Sequence, residues 1–206
     1  MSFEIRDRVV VFDYGEVISY SQSEVDRAKI VALAGVPSGQ FWDSYWRDRD
    51  SLDRGTLSIP DYWAAMKERL HADWTPARIQ ELWIADLRSW LSINPDVFDV
   101  LAELHDSGVR MAILSNAGFE YGSYFRYSPM AAFFERIFVS AEMGMLKPDA
   151  EIYEAVLSEL GINAGQMVFI DNKETNVVAA RAVGITSHVF LGADELRAFL
   201  ATLTEV

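Results

Sequence analysis

The chain has 206 residues, a formal net charge of −13 and no cysteine, a length that suits one domain or one domain carrying a small insertion. The missing thiols exclude disulfides, thiolate metal sites and cysteine nucleophiles, and the acidic balance argues against nucleic-acid backbones and anionic membranes as partners. No apolar run reaches the length of about 18 residues that spans a bilayer. MSFEIRDRVV lacks the basic, apolar and small-residue regions of a secretion signal, so a cytoplasmic location is expected, as a monomer or homodimer. His71, His105 and His188 lie far apart without ligand-like spacing, and no histidine metal centre is expected.

The first predicted strand covers residues 8–12 and ends on Asp13, followed by Tyr14, Gly15 and Glu16. From residue 20 to about 90 the chain is rich in Trp, Tyr and charge. It reads as helices over 22–33, 39–49, 59–70 and 76–86, with Ser58 and Thr75 as N-caps. Trp42, Tyr45, Trp46, Tyr62, Trp63, Trp74 and Trp83 recur at helical spacing and are expected to form the core of this segment. Asn94-Pro95 then opens a helix to residue 105, with Gly108 beyond its end. Strands follow at 110–114, 136–139, 167–170 and 187–190. Helices are predicted from Pro148 to 160, over 174–183 and over 193–203, the first two closed by Gly161 and Gly184. Strands alternating with amphipathic helices mean crossover units, hence an α/β fold with a parallel sheet covered on both faces.

Polar residues stand where the strands end: Asp13, Ser115-Asn116, Lys147 in GMLKP after the third strand, and Asp171-Asn172. A parallel sheet puts these ends on one edge, where ligands bind. A carboxylate there can attack phosphorus and form an acyl phosphate. Both partners are anionic, so a divalent cation with hard oxygen ligands must offset the repulsion. Lys147 adds a second positive charge, and Ser115 with nearby N–H groups can hold phosphoryl oxygens. Gly15 is expected to let the backbone turn sharply beside Asp13.

Taken together, VVVFDYGEVIS (9–19), Leu114-Ser115-Asn116, GMLKPDAEIY with Lys147 and Tyr153, and VFIDNKETN (168–176) resemble the four motifs of the haloacid dehalogenase-like hydrolase superfamily. The resemblance covers nearly the whole chain. It implies a doubly wound, Rossmann-like core over 1–19 and 91–206, with a small helical cap inserted at 20–90. It is closest to the small-capped branch that holds sugar-phosphate phosphatases and the dehalogenases. It implies Mg²⁺-dependent hydrolysis of a small phosphorylated metabolite, a sugar phosphate among the candidates, through an aspartyl-phosphate on Asp13. Ser115 and Lys147 then act with Asp13, Asn116 helps to position the phosphoryl group, and Mg²⁺ lies between Asp13, the Gly15 carbonyl, and Asp171 or Asn172.

The sequence departs from that pattern at two places. Family phosphatases usually place a second Asp two residues after the nucleophile, as leaving-group acid; here that residue is Gly15. Glu16, the nearest carboxylate, either substitutes for it or faces solvent. Motif four often carries two acids, whereas here Asn172 follows Asp171, which implies weaker metal affinity. A missing acid favours good leaving groups such as aryl, acyl or anomeric sugar phosphates. Arg49 is expected either to reach from the cap to an anionic substrate or to pair with Asp48, Asp50 or Asp53. Two alternatives stand beside the phosphatase. One is a metal-independent haloacid dehalogenase, against which Val17, Asp171 and Asn176 occupy its characteristic hydroxyl, Ser and Asp positions. The other is a catalytically weak homologue that binds a ligand or partner.

Overall fold

The computed structural model describes residues 3–203; the first two and last three positions of the expected core lie outside them. The strands β1 (Val9–Phe12), β2 (Arg110–Ser115), β3 (Arg136–Val139), β4 (Met167–Asp171) and β5 (Thr186–Val189) form one parallel sheet in the order β3-β2-β1-β4-β5. Each predicted strand is present, with ends shifted by at most one residue. The apolar β-branched run in β1 is buried on both faces, as a central parallel strand requires.

Alternate residues of the strands serve different layers. Val10, Phe12, Ile113 and Ile170 pack toward α6 (Pro95–Asp106), α7 (Phe119–Tyr127) and α11 (Ala193–Thr202). Val9, Val11, Leu114 and Phe169 pack toward α9 (Ala150–Leu160) and α10 (Glu174–Ala182). A helix over Phe119–Tyr127 is absent from the sequence-based reading. Its N-cap is Gly118, without a side-chain bond, and Gly122 sits inside it, so local signals are weak. Burial of Tyr121 and Phe125, one turn apart, against the sheet decides it.

The segment between β1 and α6 builds its own apolar cluster from α1 (Glu24–Ala34), α2 (Ser38–Arg47), α4 (Ile59–Arg69) and α5 (Pro76–Ser89). Ser58 and Thr75 cap their helices as expected. Tyr45, Tyr62, Trp63 and Trp74 are buried there, but Trp46 is 49% exposed, so the aromatic core is less complete than the spacing implies. The expected helix over 39–49 stops at Arg47. Asp48 leaves helical geometry and a short helix, α3 (Arg49–Asp53), starts again.

Where the chain leaves and rejoins the sheet region, Ser19 and Ile93 form an antiparallel bridge. The Tyr20 N–H donates to the Ser92 carbonyl (2.7 Å) and the Asn94 N–H to the Ile18 carbonyl (2.9 Å). A second link forms beyond α3. The Ser140 hydroxyl donates to the Asp53 carbonyl (2.5 Å), and Arg54 pairs with Asp149 (2.9 Å). Gly55 has φ +76°, and a Cβ there would stand 2.4 Å from the Ala141 carbonyl oxygen. Both the left-handed backbone and the close approach therefore need glycine. Gly55→Ala is expected to cost more than about 1 kcal/mol, read from urea unfolding; an unchanged midpoint would mean that this contact does not form.

Candidate active site

β1 is central: β2 and β3 follow on one side, and the chain then crosses to β4 and β5 on the other. The crevice at its carboxyl end is the topological switch point where such sheets bind ligands. A cavity of about 550 Å³ opens there, and Asp13, Gly15, Glu16, Ser115, Lys147 and Asn172 line it. The polar strand ends thus converge as their order implied.

Asp13 continues β1 by one step, its N–H donating to the Ile170 carbonyl (2.8 Å). Its Oδ1 accepts the Tyr14 N–H (2.8 Å) and lies 2.9 Å from Lys147 Nζ. Its Oδ2 takes no hydrogen bond from any described residue. Burial pushes the Asp13 carboxyl up to about 6, with Lys147 pulling it down and Asp171 pushing it further up. Lys147 has three N–H donors, and each has a partner: Asp13 Oδ1, Asp171 Oδ2 (2.7 Å) and the Leu114 carbonyl (2.8 Å). Burial lowers the affinity of its ammonium for the proton, but the two carboxylates outweigh that and hold its pKa above the ordinary value.

Several expectations need correction. Asn116 does not present its amide to the cavity centre. Its Oδ1 accepts the Lys147 N–H (2.9 Å) and its Nδ2 donates to the Lys147 carbonyl (2.8 Å), so it clamps the backbone that carries Lys147. Asp171 is fully buried and is not among the residues lining the cavity. Its Oδ1 accepts the Lys173 N–H and its Oδ2 accepts both Lys147 and Asn176 Nδ2. It orients Lys147 instead of facing a metal. Gly15 has φ −66° and ψ 128°, ordinary for any residue, and a Cβ there would meet nothing within 4 Å. The positive φ of this turn falls on Glu16, at +61°. Glu16 is not free beside Asp13 either, since its Oε2 accepts Asn172 Nδ2 (2.6 Å).

That last contact fixes an orientation. A carboxylate only accepts, so the Asn172 amide must turn its nitrogen to Glu16. Its Oδ1 is left buried and without a partner, on a residue of the cavity wall. Among the described residues no three His, Cys, Asp or Glu side chains form a metal cluster. The oxygens present still fit a hard cation that keeps much of its water: the Asp13 carboxylate, the unpartnered Asn172 Oδ1 and the Gly15 carbonyl. The fit also has an electrostatic side. Asp13, Asp171 and Lys147 together carry one net negative charge, which repels a phosphate until a cation reverses it.

On the opposite wall Arg49 lines the cavity, but its charge is already matched. Its Nε reaches Asp53 (3.1 Å) and its Nη1 reaches Tyr45 Oη (2.8 Å) and Asp86 (3.4 Å). It is buried and spent on carboxylates of its own segment; Asp53 is among the expected partners, whereas Asp86 is not. Burial pushes Asp53 up to about 6 and raises Asp86, against the pull of Arg49. Gln22, Trp90, Tyr121, Lys173 and Asn176 also line the cavity. Lys173 and Asn176 lie inside the fourth motif; the others carry no sequence signal beyond their residue type.

Arg49→Met leaves two buried carboxylates without their cation, and a loss of about 3–5 kcal/mol in unfolding free energy is expected; a loss below 1 kcal/mol would show the pairing to be incidental. Asp53 titrates higher folded, about 6, than at its ordinary 3.8. Its contribution to stability is therefore full below about 4 and is lost as pH rises through about 6. Asp53→Asn should flatten that part of the stability–pH curve.

A family model described as haloacid dehalogenase-like hydrolase matches residues 8–184. A sesquiterpene phosphatase of Aspergillus oryzae is 26% identical over 184 residues, covering 86% of this chain and 87% of that protein. The fold resembles a magnesium complex of a HAD family enzyme from Bacteroides thetaiotaomicron, with a TM-score of 0.76, 21% identity, and 93% and 98% of the two chains covered. It also resembles the L-2-haloacid dehalogenase RSc1362, with a TM-score of 0.71, 19% identity, and 97% and 99% covered. The chain belongs to the haloacid dehalogenase-like hydrolase family.

Proposed function

We propose that this hydrolase is a phosphatase acting on a small organic phosphate monoester through an aspartyl-phosphate on Asp13. The observation that carries the reading is the divided Asp13 carboxylate: one oxygen held by Tyr14 and Lys147, the other without a protein partner on a residue at the cavity wall. Support comes from the phosphatase of Aspergillus oryzae, which aligns over most of its length.

Oδ2 of Asp13 attacks phosphorus, and the bond from phosphorus to the leaving oxygen breaks. The electron pair stays on that oxygen, which takes its proton from water because residue 15 carries no acid. Water then attacks the phosphorus of the acyl phosphate, releases inorganic phosphate and restores the carboxylate, the proton passing to solvent. Lys147 keeps Asp13 ionised and aimed, Asn116 holds Lys147 in place, and the Ser115 hydroxyl is available to a phosphoryl oxygen. The Asp13 carboxylate, the Gly15 carbonyl and Asn172 Oδ1 would hold a divalent cation such as Mg²⁺, which would supply charge neutralisation. Glu16 holds the Asn172 amide by its nitrogen, so that Oδ1 would be free for such a cation. The helical segment 20–90 acts as the cap, with residues 1–19 and 91–206 as the core, and it moves about the Ser19–Ile93 bridge to admit substrate and water.

Asp13→Asn is expected to lower turnover of phenyl phosphate at least about a thousandfold. Metal-independent halide release from a haloacid, lost in the same variant, would overturn the reading. Mg²⁺ should raise phenyl phosphate turnover with a midpoint in the millimolar range, since Asn172 adds no charge; tight stoichiometric binding would contradict this. A Cβ at residue 15 meets nothing within 4 Å, and Gly15→Asp places an acid where the leaving oxygen has none. It should raise turnover of an alkyl phosphate relative to phenyl phosphate by about a hundredfold, and no change in that ratio would show that protonation does not limit the reaction.

A further inference from the structure

Among the described residues four basic side chains line the cavity: Arg27, Arg49, Lys147 and Lys173. Arg49 and Lys147 are each spent on two carboxylates. Arg27 is not. It lies in the first turn of α1 and is half-buried. Its guanidinium makes no hydrogen bond or ion pair with any described residue. Asp50 also lines the cavity, yet no ion pair joins the two.

What holds Arg27 is an aromatic face. Its guanidinium carbon lies 4.2 Å from the centroid of the Trp42 ring, in α2. Such stacking fixes the plane of the fork and leaves its N–H donors unspent. One turn further along α2, Trp46 lines the cavity and meets Trp90 edge to face, with 6.4 Å between ring centroids. The wall built by segment 20–90 thus combines flat apolar surface with one oriented cation that no carboxylate matches. Lys173 also lacks a side-chain partner among the described residues. It is exposed and follows Asn172 directly at the strand ends, and its ammonium is a hydrated point charge on a flexible stem. A leaving group without an acceptor would strip water from the Arg27 donors and return nothing. A planar oxyanion on that group would instead take two parallel N–H bonds.

We infer that Arg27 is a specificity residue that binds a second oxyanion, a carboxylate or a phosphate, carried by the leaving group of the phosphomonoester. The substrate then has an anion at each end of a body with a flat apolar side. The reacting phosphoryl group meets Asp13, and the second oxyanion meets the Arg27 fork. This rests on the phosphatase reading for its chemistry, but its binding needs no turnover.

Calorimetry on the Asp13→Asn chain in the presence of Mg²⁺ tests the assignment. It would compare 3- and 4-carboxyphenyl phosphate with their neutral 3- and 4-carbamoylphenyl counterparts, and the bisphosphate of 1,4-dihydroxybenzene with phenyl phosphate. At least one anion-bearing probe is expected to bind about tenfold more tightly than its neutral counterpart, and the arm that gains more names the oxyanion. Arg27→Gln should bring that ratio to about one. Arg27→Lys, which keeps the charge without the fork, should retain only part of it. Equal binding within every pair would overturn the assignment. So would a ratio that survives Arg27→Gln, including one that falls with Lys173→Met instead. If the unmodified chain fails to turn over phenyl phosphate while the Arg27-dependent ratio persists, the phosphatase chemistry falls and the oxyanion site stands.

Discussion

The Lys147 ammonium is the contact on which the rest of the site depends. It is buried and reaches the ends of three different strands: Asp13 after β1, the Leu114 carbonyl in β2 and Asp171 at the end of β4. A buried ammonium is tolerated only when its protons are all used, and each has a partner here. The converse also holds, since two carboxylates so close would repel strongly without it. The strand ends therefore cannot drift apart, and Asp13 cannot rotate, without exposing an unpaired charge. Asn116 and Asn176 extend the same constraint, one by gripping the backbone of Lys147 and the other by holding Asp171.

The opposite wall repeats the motif with different residues. Arg49 lies between Asp53 and Asp86 as Lys147 lies between Asp13 and Asp171. Each cluster has one cation and two acids, and burial pushes Asp13, Asp53 and Asp86 above their ordinary values. The difference lies in what each leaves open. The Lys147 cluster leaves one carboxylate oxygen without a partner. The Arg49 cluster leaves neutral polar atoms, on Gln22 and Tyr121.

The sheet was legible because parallel strands buried on both faces leave continuous apolar runs ending on polar residues, and such runs are hard to mistake. The capped helices were legible for a similar reason, as at Thr75-Pro76 and Asn94-Pro95. What failed were contacts that join distant segments. That Asp86 would meet Arg49, 37 residues away, is set by tertiary packing, and no local pattern encodes it. Asn116 and Asp171 were placed by type and position at strand ends, and both do lie beside the site. Yet their hydrogen bonds turn them inward to Lys147, a choice made by side-chain geometry that spacing does not reveal. Gly15 failed differently. Glycine implied a strained turn, but the strain sits on Glu16, held there in company with Asn172.

The two departures at Gly15 and Asn172 act in the same electrostatic direction. The buried cluster is already net negative by one charge, so an acid at either position would add repulsion toward an incoming phosphate. On the proposed phosphatase reading, leaving both neutral lowers that repulsion without any new cation, but it leaves the leaving oxygen without a nearby acid and would weaken the hold on a metal. The trade is tolerable only if the leaving oxygen departs without help and if other contacts supply binding. Interactions with a part of the substrate that does not react can hold it in place for an attack that the local charges alone would barely favour.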